Sequence, residues 1–296
     1  MTEKAITVTD SRSVFLPDEP LDGHIVDVLI RERCPSFATH WTWPAVRPVL
    51  YSLLGYGKAR KMADGMASRT GRQAFDYLAR TLDVQLDVNH LDRLPETGRV
   101  VVASNHPTGL ADGVAVWDAL MQRRKDVVFF ANADALRVNP DFEDVIIPIE
   151  WVEDKRSPAK TRETLKRAAA AFEEEKCIVI FPSGKLAKMQ QGILREQEWF
   201  PTVVSLARKR KAPIVPLHVS ARNSRLYYML AGMNGELRDI TLFHELLNKK
   251  RANYDLAFGP EISPETLQGD ATEVTNSLQA HVAYAMAEDP GSLFVP

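Results

Sequence analysis

The spacing of hydrophobic residues changes near residue 84 of the chain. Before that point, apolar residues recur every three or four positions, which is typical of helices packed by one face. We predict helices over residues 24–34, 41–57 and 65–81, with Pro48 breaking or kinking the second. Residues 1–23 lack this period and predict an irregular arm.

After residue 84, short β-branched runs alternate with helical patterns. The predicted strands are Val84–Val88, Arg99–Ser104, Val127–Ala131, Val145–Ile149, Cys177–Phe181, Pro213–Val219 and Asn253–Phe258. The predicted helices are Gly113–Gln122, Pro158–Glu175, Trp199–Lys211 and Thr272–Glu288. This alternation predicts an α/β fold: a largely parallel mixed sheet flanked by helices, with an N-terminal helical attachment. We therefore divide the chain into an arm and helical segment (residues 1–80) and an α/β domain (residues 81–296).

Composition excludes several classes of protein. The chain has 37 Lys and Arg against 39 Asp and Glu, so its net charge of −2 gives no general attraction for nucleic acid. Cys34 and Cys177 are too few for a disulfide framework, which fits the cytoplasm. No stretch approaches the roughly 18 consecutive apolar residues of a membrane span. We expect a protein that is soluble or peripheral to a membrane.

One N-terminal segment has the composition of an interfacial helix. Trp41, Trp43 and Tyr56 surround an aliphatic stripe, and a basic run over 58–61 follows. Aromatic residues beside cations suit a helix lying in a bilayer surface. The alternative is a helical layer packed on the protein core, and both interpretations stay open.

A polar turn follows the second predicted strand and carries the first candidate site. The β-branched run ends at Asn105-His106, Pro-Thr-Gly follows, and Asp112 opens a helix. A carboxylate can hold one imidazole nitrogen and leave the other free to accept a proton, so His106 and Asp112 are a candidate base and its orienting group. The alternative is a turn in which Asp112 only caps the helix. The amides of Thr108 and Gly109, or those of the first helical turn, are candidates to stabilise an oxyanion.

A second turn of the same type follows the strand that ends near Phe181. Ser183, Gly184 and Lys185 offer a hydroxyl, exposed amides and an ammonium, which suit an anion, although a solvated exit loop is the alternative. Arg222, after a later strand, is a candidate for a charged head group or for a salt bridge. The candidate substrate-binding residues are Asn105, Thr108, Gly109, Ser183, Gly184, Lys185 and Arg222. The remaining histidines lack metal-ligand spacing, and no dinucleotide or Walker loop is present, so we expect neither a metal nor a cofactor.

These blocks resemble the motifs of a known family. Asn105-His106 with Asp112-Gly113, then Phe181-Pro182-Ser183-Gly184, then 213–216 occur in the motif order of the glycerolipid acyltransferases, the enzymes similar to 1-acylglycerol-3-phosphate acyltransferase. The motif residues are most similar to those of a bacterial branch that carries the label hemolysin and includes lyso-ornithine lipid O-acyltransferases. Segments 221–224 and 245–250 resemble that branch as well. The resemblance covers residues 80–265.

The chain departs from the family pattern in two places. Five residues separate His106 from Asp112, where the family usually has four. Ser183 and Leu186 stand where the family has Glu and Arg. In the family this Arg helps to hold the phosphate of the acceptor. Its absence favours an acceptor without a phosphate, such as lyso-ornithine lipid, over lysophosphatidic acid, and both acceptors stay open. Lys185 supplies a point charge but not a bidentate fork.

The resemblance implies an activity. A fatty acyl group would move from acyl-carrier protein or acyl-CoA to the hydroxyl of a lysolipid, with His106 as the base and Asp112 as its orienting group. It implies an enzyme peripheral to the inner face of the cell membrane, without a cofactor or nucleic-acid partner. Two alternatives stay open: the same machinery acting on an amine to make an amino-acid lipid, and a non-catalytic lipid-binding protein. The membrane-lysing activity that the label hemolysin suggests is not expected.

Overall fold

Helices precede the first strand in the computed structural model, which describes residues 14–16 and 22–296. They are α1 (Ile25–Arg33), α2 (Pro35–Ala38), α3 (Trp43–Leu53), α4 (Tyr56–Ala67) and α5 (Gly71–Leu82). The arm predicted for residues 1–23 lies outside the described residues, apart from 14–16, 22 and 23.

Two expectations for this segment change. Of the break or kink predicted at Pro48, the break is absent, because α3 continues through this residue; Pro48 forgoes one backbone hydrogen bond and is exposed. The single helix predicted for 65–81 is two helices, because Thr70 and Gln73 form a capping box that starts α5. The first amides of a helix have no partner within it, and this reciprocal capping supplies one. The capping box therefore marks the start of a new helix.

The predicted fold class is confirmed by a mixed sheet at the centre of the molecule. Its strands are β1 (Gln85–Asn89), β2 (Val100–Ser104), β3 (Val127–Asn132), β4 (Ile146–Ile149), β5 (Cys177–Ile180), β8 (Ile214–Ser220) and β9 (Asn253–Phe258). The strand order is β1-β9-β8-β2-β5-β3-β4. The five strands from β8 to β4 are parallel, whereas β9 is antiparallel to β8 and β1 is parallel to β9. A separate antiparallel hairpin, β6 (Lys188–Gln190) with β7 (Ile193–Arg195), follows β5.

The remaining helices flank the sheet or pack on other helices. They are α6 (Leu110–Leu120), α7 (Asp134–Val138), α8 (Pro158–Glu173), α9 (Thr202–Arg210), α10 (Arg225–Met233), α11 (Gly235–Ile240), α12 (Leu242–Asn248), α13 (Ala271–Ala280) and α14 (Met286–Glu288), with short 3-10 turns at Leu91–Arg93, Pro140–Asp144 and Glu153–Lys155 and a π turn at His281–Ala285. Side chains of a strand alternate between faces. Accordingly, Val100 and Val102 of β2 join the hydrophobic cluster of α6, and Val101 and Ala103 join that of α8 and α9.

The N-terminal helices share the first of these clusters. Met62 of α4 and Leu78 of α5 pack in it together with Trp117 of α6. The packed-layer interpretation describes one side of α3, where Trp43 and Tyr51 are buried in this cluster, whereas Val49 and Leu53 on the same helix are exposed. Within the described residues, no helix is long and apolar enough to cross a bilayer. The division into residues 1–80 and 81–296 stays a prediction.

Most predicted elements are present with boundaries shifted by a few residues. The important shift is at α6, which begins at Leu110, three residues before the predicted start, so that Asp112 lies in its first turn. The hairpin β6–β7 and the helices α7, α10, α11 and α12 had not been predicted. These elements are short, and a short element shows too few periods to be recognised.

Candidate active site

His106 lies where the central strand β2 ends. β5 and β8 pair with β2 on either side and end at the same edge of the sheet. Ligands of open α/β sheets bind at such an edge, outside the carboxyl ends of the strands. The imidazole ring of His106 stacks on Phe181, with 4.2 Å between centroids, and its side chain is 16% exposed.

Asp112 is fully buried and faces the imidazole. Its Oδ2 lies 3.0 Å from Nδ1 of His106, off the direction of a hydrogen bond, so the contact is one between a carboxylate and a ring that can become cationic. Within the part of the chain that the structure describes, no hydrogen bond reaches Nε2 of His106, which lies on the accessible side of the ring. The ring is therefore oriented from one side and free on the other.

The carboxylate of Asp112 also organises the turn before α6. Its Oδ2 accepts hydrogen bonds from the amides of Thr108 (2.8 Å) and Gly109 (2.9 Å), and its Oδ1 accepts one from the Thr108 hydroxyl. Of the two alternatives for an oxyanion, the helix start is therefore favoured, because Asp112 already accepts from the amides of Thr108 and Gly109. The next amides, those of Leu110 and Ala111, have no partner among the described residues and begin a helix, where the backbone dipole favours negative charge.

The hydroxyl of Tyr254 completes this arrangement from β9. It lies 2.8 Å from the hydroxyl oxygen of Thr108. Because Thr108 gives its own proton to Asp112, Tyr254 donates in this contact. Burial raises the pKa of Tyr254, so it stays protonated and able to donate. Sequence reasoning missed Tyr254, and nothing in its local pattern distinguishes it.

The side chain of Asn105 hydrogen-bonds the end of β2 to β8. Its side-chain amide donates to the carbonyl of Val219 (2.9 Å) and accepts from the amide of Val219 (2.7 Å). The two bonds extend the pairing of β2 with β8 beyond its last register pair, Ser104 with Leu217. Asn105 is buried, and its polar atoms are occupied by the strand.

The second predicted turn packs directly on the first. Gly184 has φ of 57°, and the ring of Trp151 occupies the place of any Cβ, so this position requires glycine. The amide of Ala187 donates to the carbonyl of His106 (3.0 Å). Lys185 is exposed, whereas Ser183 is buried with its hydroxyl 2.9 Å from Oε1 of Glu196 and 2.8 Å from the carbonyl of Lys185.

Glu196 is a site residue that sequence reasoning missed. Its Oε2 accepts the backbone amide of His106 (3.1 Å), and its Oε1 also accepts the indole N–H of Trp199 (3.3 Å). Burial is the largest influence on this carboxyl and raises its pKa, against the lowering effect of its hydrogen bonds. It lies immediately after β7, so the unpredicted hairpin returns the chain to the site.

The loop after β8 borders the same site and carries Arg222. Asn223 donates from its side chain to the carbonyl of Thr108 (3.4 Å) and from its backbone to the hydroxyl of Tyr228 (3.1 Å). The pKa of Tyr228 is raised, mainly by burial and also by the charge of Asp112. The charge of Arg222 opposes this rise. Arg222 is exposed and has no ion pair with any described residue.

A buried ion pair supports this loop. Glu245 of α12 accepts the amide (2.8 Å) and the hydroxyl (2.6 Å) of Ser224, and Nζ of Lys249 lies 3.0 Å from its Oε2. The segments 221–224 and 245–250, noted separately in the sequence, are therefore in contact. Ser224 in turn caps α10 through the amide of Tyr227.

Residues 85–220 match the family model described as Acyltransferase. The matched region begins at β1, ends with β8, and contains His106, Asp112 and Glu196. Over these residues the chain is similar to the acyltransferase family. The predicted resemblance and the predicted class of enzyme are thereby confirmed.

Named relatives of this acyltransferase are lyso-glycine lipid O-acyltransferases. That of Phocaeicola vulgatus is 28% identical over 211 residues, which are 69% of this chain and 74% of the relative. That of Bacteroides thetaiotaomicron is 26% identical over 197 residues, 64% of this chain and 71% of the relative. The crystal structure of the 1-acyl-sn-glycerophosphate acyltransferase PlsC from Thermotoga maritima aligns with a TM-score of 0.48 at 12% identity, covering 91% of this chain and 98% of that one.

Proposed function

We propose that this acyltransferase moves a fatty acyl group from a thioester donor, acyl-carrier protein or acyl-CoA, to the hydroxyl of a lysolipid. The observation that carries the proposal is the imidazole of His106, held on one side by the buried carboxylate of Asp112 and open at Nε2 on the other. A base in this state can take a proton from an alcohol without forming a covalent enzyme intermediate.

The proposed reaction is a direct transfer. Nε2 of His106 takes the proton of the acceptor hydroxyl as its oxygen forms a bond to the thioester carbonyl carbon. Asp112 stabilises the imidazolium that results. The amides of Leu110 and Ala111 are the candidate donors to the carbonyl oxygen as it becomes an oxyanion. When the carbon–sulfur bond breaks, the imidazolium returns the proton to the thiolate, and the products are an ester and a free thiol.

The contacts divide the candidate substrate-binding residues into two groups. Polar atoms of Asn105, Thr108, Gly109 and Ser183 are occupied within the protein, and Gly184 fits closely under Trp151, so we assign these residues to positioning the turns. Lys185 and Arg222 have exposed side chains, and we assign them to the acceptor head group.

We propose as acceptor a lyso-amino-acid lipid whose head group carries a carboxylate, such as a lyso-glycine or lyso-ornithine lipid. Leu186 stands where the family has Arg, and its side chain lies against Gly109, so it offers no charge to a phosphate. Arg222 and Lys185 are cations suited to a carboxylate, for which a single charge suffices. The relatives in Phocaeicola and Bacteroides are named for a lipid of this chemical class.

Purified protein is expected to acylate the hydroxyl of a lyso-amino-acid lipid with a higher kcat/KM than lysophosphatidic acid. Arg222→Gln is expected to raise the acceptor KM by up to about fivefold at unchanged kcat, because an ion pair at an exposed site is worth at most about 1 kcal/mol. Steady-state assays with each acceptor, using acyl-carrier protein and CoA thioesters in turn, measure both effects.

Arg225→Gln is the matched control, because Arg225 is exposed three residues further along and is expected to leave KM unchanged. A higher efficiency on lysophosphatidic acid would contradict the proposed acceptor. Acylation confined to an amine would contradict O-acyl transfer. Equal effects of the two substitutions would remove Arg222 from the acceptor site.

We propose further that α3 and the residue pair before it rest on the inner face of the cell membrane. Trp41 is 84% exposed, and Val49 and Leu53 are 62% and 74% exposed. The same part of the sequence carries the exposed cations Arg47 and Lys58. Apolar residues flanked by cations suit an interface rich in anionic lipid, as at the cytoplasmic leaflet.

Vesicle sedimentation tests this surface. Combining Trp41→Ser, Val49→Ser and Leu53→Ser is expected to weaken binding to anionic vesicles at least about tenfold, because burying one large apolar side chain is worth roughly 1.5–3 kcal/mol. The control combines Leu165→Ser, Ile193→Ser and Leu293→Ser, which are comparably exposed elsewhere. Equal binding of the two variants would exclude α3 as the membrane contact.

A further inference from the structure

We propose that Glu196 is a positioning residue for acyl transfer: its carboxylate sets the backbone of His106 against the Ser183 turn, so that Nε2 faces the acceptor hydroxyl. This inference rests on the function proposed above. Glu196 is distinct from the groups that orient the imidazole ring itself, which are Asp112 and Phe181.

The carboxylate joins three segments that are separate in the chain. Oε2 accepts the amide of His106 at the end of β2, and Oε1 lies within hydrogen-bond distance of the Ser183 hydroxyl after β5 and the Trp199 indole before α9. Acceptance of several hydrogen bonds stabilises a carboxylate that is otherwise costly to bury. A group with these partners constrains all three segments at once.

Both backbone polar groups of His106 are bound by one stretch of chain. The amide is bound by Glu196, and the carbonyl accepts from Ala187 (3.0 Å). The stretch 187–196 contains the hairpin β6–β7. The location of the His106 backbone therefore depends on this stretch, whereas Asp112 acts on the ring.

The residues immediately after Glu196 are hydrogen-bonded to α13. Gln279 of α13 accepts the amide of Trp199 (3.2 Å) and donates to the carbonyl of Gln197 (3.0 Å). The indole of Trp199 is buried in the hydrophobic cluster of α8 and α9. The residues that follow Glu196 are thus bound to α13, which is separate in the chain from the hairpin β6–β7.

Glu196→Ala is expected to lower kcat by about 10²-fold with the acceptor KM changed less than about twofold, because an error of roughly 1 Å in a reacting group costs this much. Glu196→Gln is expected to recover part of kcat, since its amide oxygen still accepts from His106 and its NH₂ can donate to the Ser183 hydroxyl, although the NH₂ no longer accepts the Trp199 indole N–H. Steady-state kinetics on both variants measures this, with thermal melting as the check that each is folded.

Glu198→Ala is the matched control, because Glu198 is exposed and is expected to leave kcat unchanged. Wild-type kcat in Glu196→Ala would overturn the inference, as would a change confined to KM. A Gln variant as slow as the Ala variant would also overturn it, because charge and not hydrogen bonding would then be required. If His106→Ala retained activity, the proposed function would fail; if only Glu196→Ala retained it, this inference alone would fail.

Discussion

His106→Ala is expected to lower the rate of acyl transfer by about 10²–10⁴-fold, the usual contribution of a general base. The imidazole offers Nε2 to the acceptor, and alanine leaves no group in this place to take the proton. The fold is expected to survive, because the ring lies at the end of β2 and packs mainly against Phe181. Initial rates at saturating donor and acceptor, together with circular dichroism melting, measure the two effects separately.

The matched control is His244→Ala, which removes an imidazole that hydrogen-bonds no described residue. Its rate is expected to equal that of the wild type. A His106→Ala enzyme that turns over at the wild-type rate would exclude His106 as the base. It would leave the similarity to the acyltransferase family untouched, because that rests on the match over residues 85–220.

Lys249→Met is expected to lower the free energy of unfolding by about 3–5 kcal/mol, because removing one partner of a buried ion pair leaves the other charge uncompensated. Glu245 is 1% exposed, and Nζ of Lys249 lies 3.0 Å from its carboxylate. Hydrogen bonds from Ser224 and the charge of Lys249 hold the pKa of Glu245 low against the effect of burial. Urea denaturation at neutral pH measures the loss.

Lys250→Met changes an exposed lysine next in the chain and is expected to alter stability by less than about 0.5 kcal/mol. A double variant, Glu245→Leu with Lys249→Met, is expected to be more stable than Lys249→Met alone, since it buries no unpaired charge. Equal stabilities of Lys249→Met and Lys250→Met would show that the pair contributes nothing to folding.

The central strands and the first site motif could be predicted because their signals are local. β2, β5 and β8 are continuous apolar runs, which is the pattern of strands buried on both faces. The proximity of the His106 and Ser183 turns is explained by parallel strands that end at one sheet edge. The contact between His106 and Asp112 followed from a spacing that spans a single turn.

The two interpretations of Asp112 turned out to be compatible. A carboxylate at the third position of α6 reaches back to the amides of the preceding turn, as an N-terminal capping group does. The same oxygen also faces the imidazole. The sequence allowed either interpretation but not the conclusion that the amides of Thr108 and Gly109 are thereby occupied.

Glu196 and Tyr254 could not be predicted, because their contacts are made across the fold. Glu196 lies 90 residues beyond His106, and Tyr254 lies 146 beyond Thr108. Neither belongs to a recognisable motif, and Glu196 is one of 39 acidic residues. The short strands of the hairpin that returns Glu196 to the site carry too little pattern to be recognised from sequence.

The contact between Ser224 and Glu245 affects which residues can change independently among related proteins. Ser224, Glu245 and Lys249 form one buried unit, although two stretches of chain supply them. Loss of one member leaves the others with an unmet charge or hydrogen bond, so single changes are selected against. Descendants of a common ancestor are therefore expected to retain the three residues together or to exchange them together. Joint substitution at these positions would mark lineages in which the loop bearing Arg222 has been rebuilt.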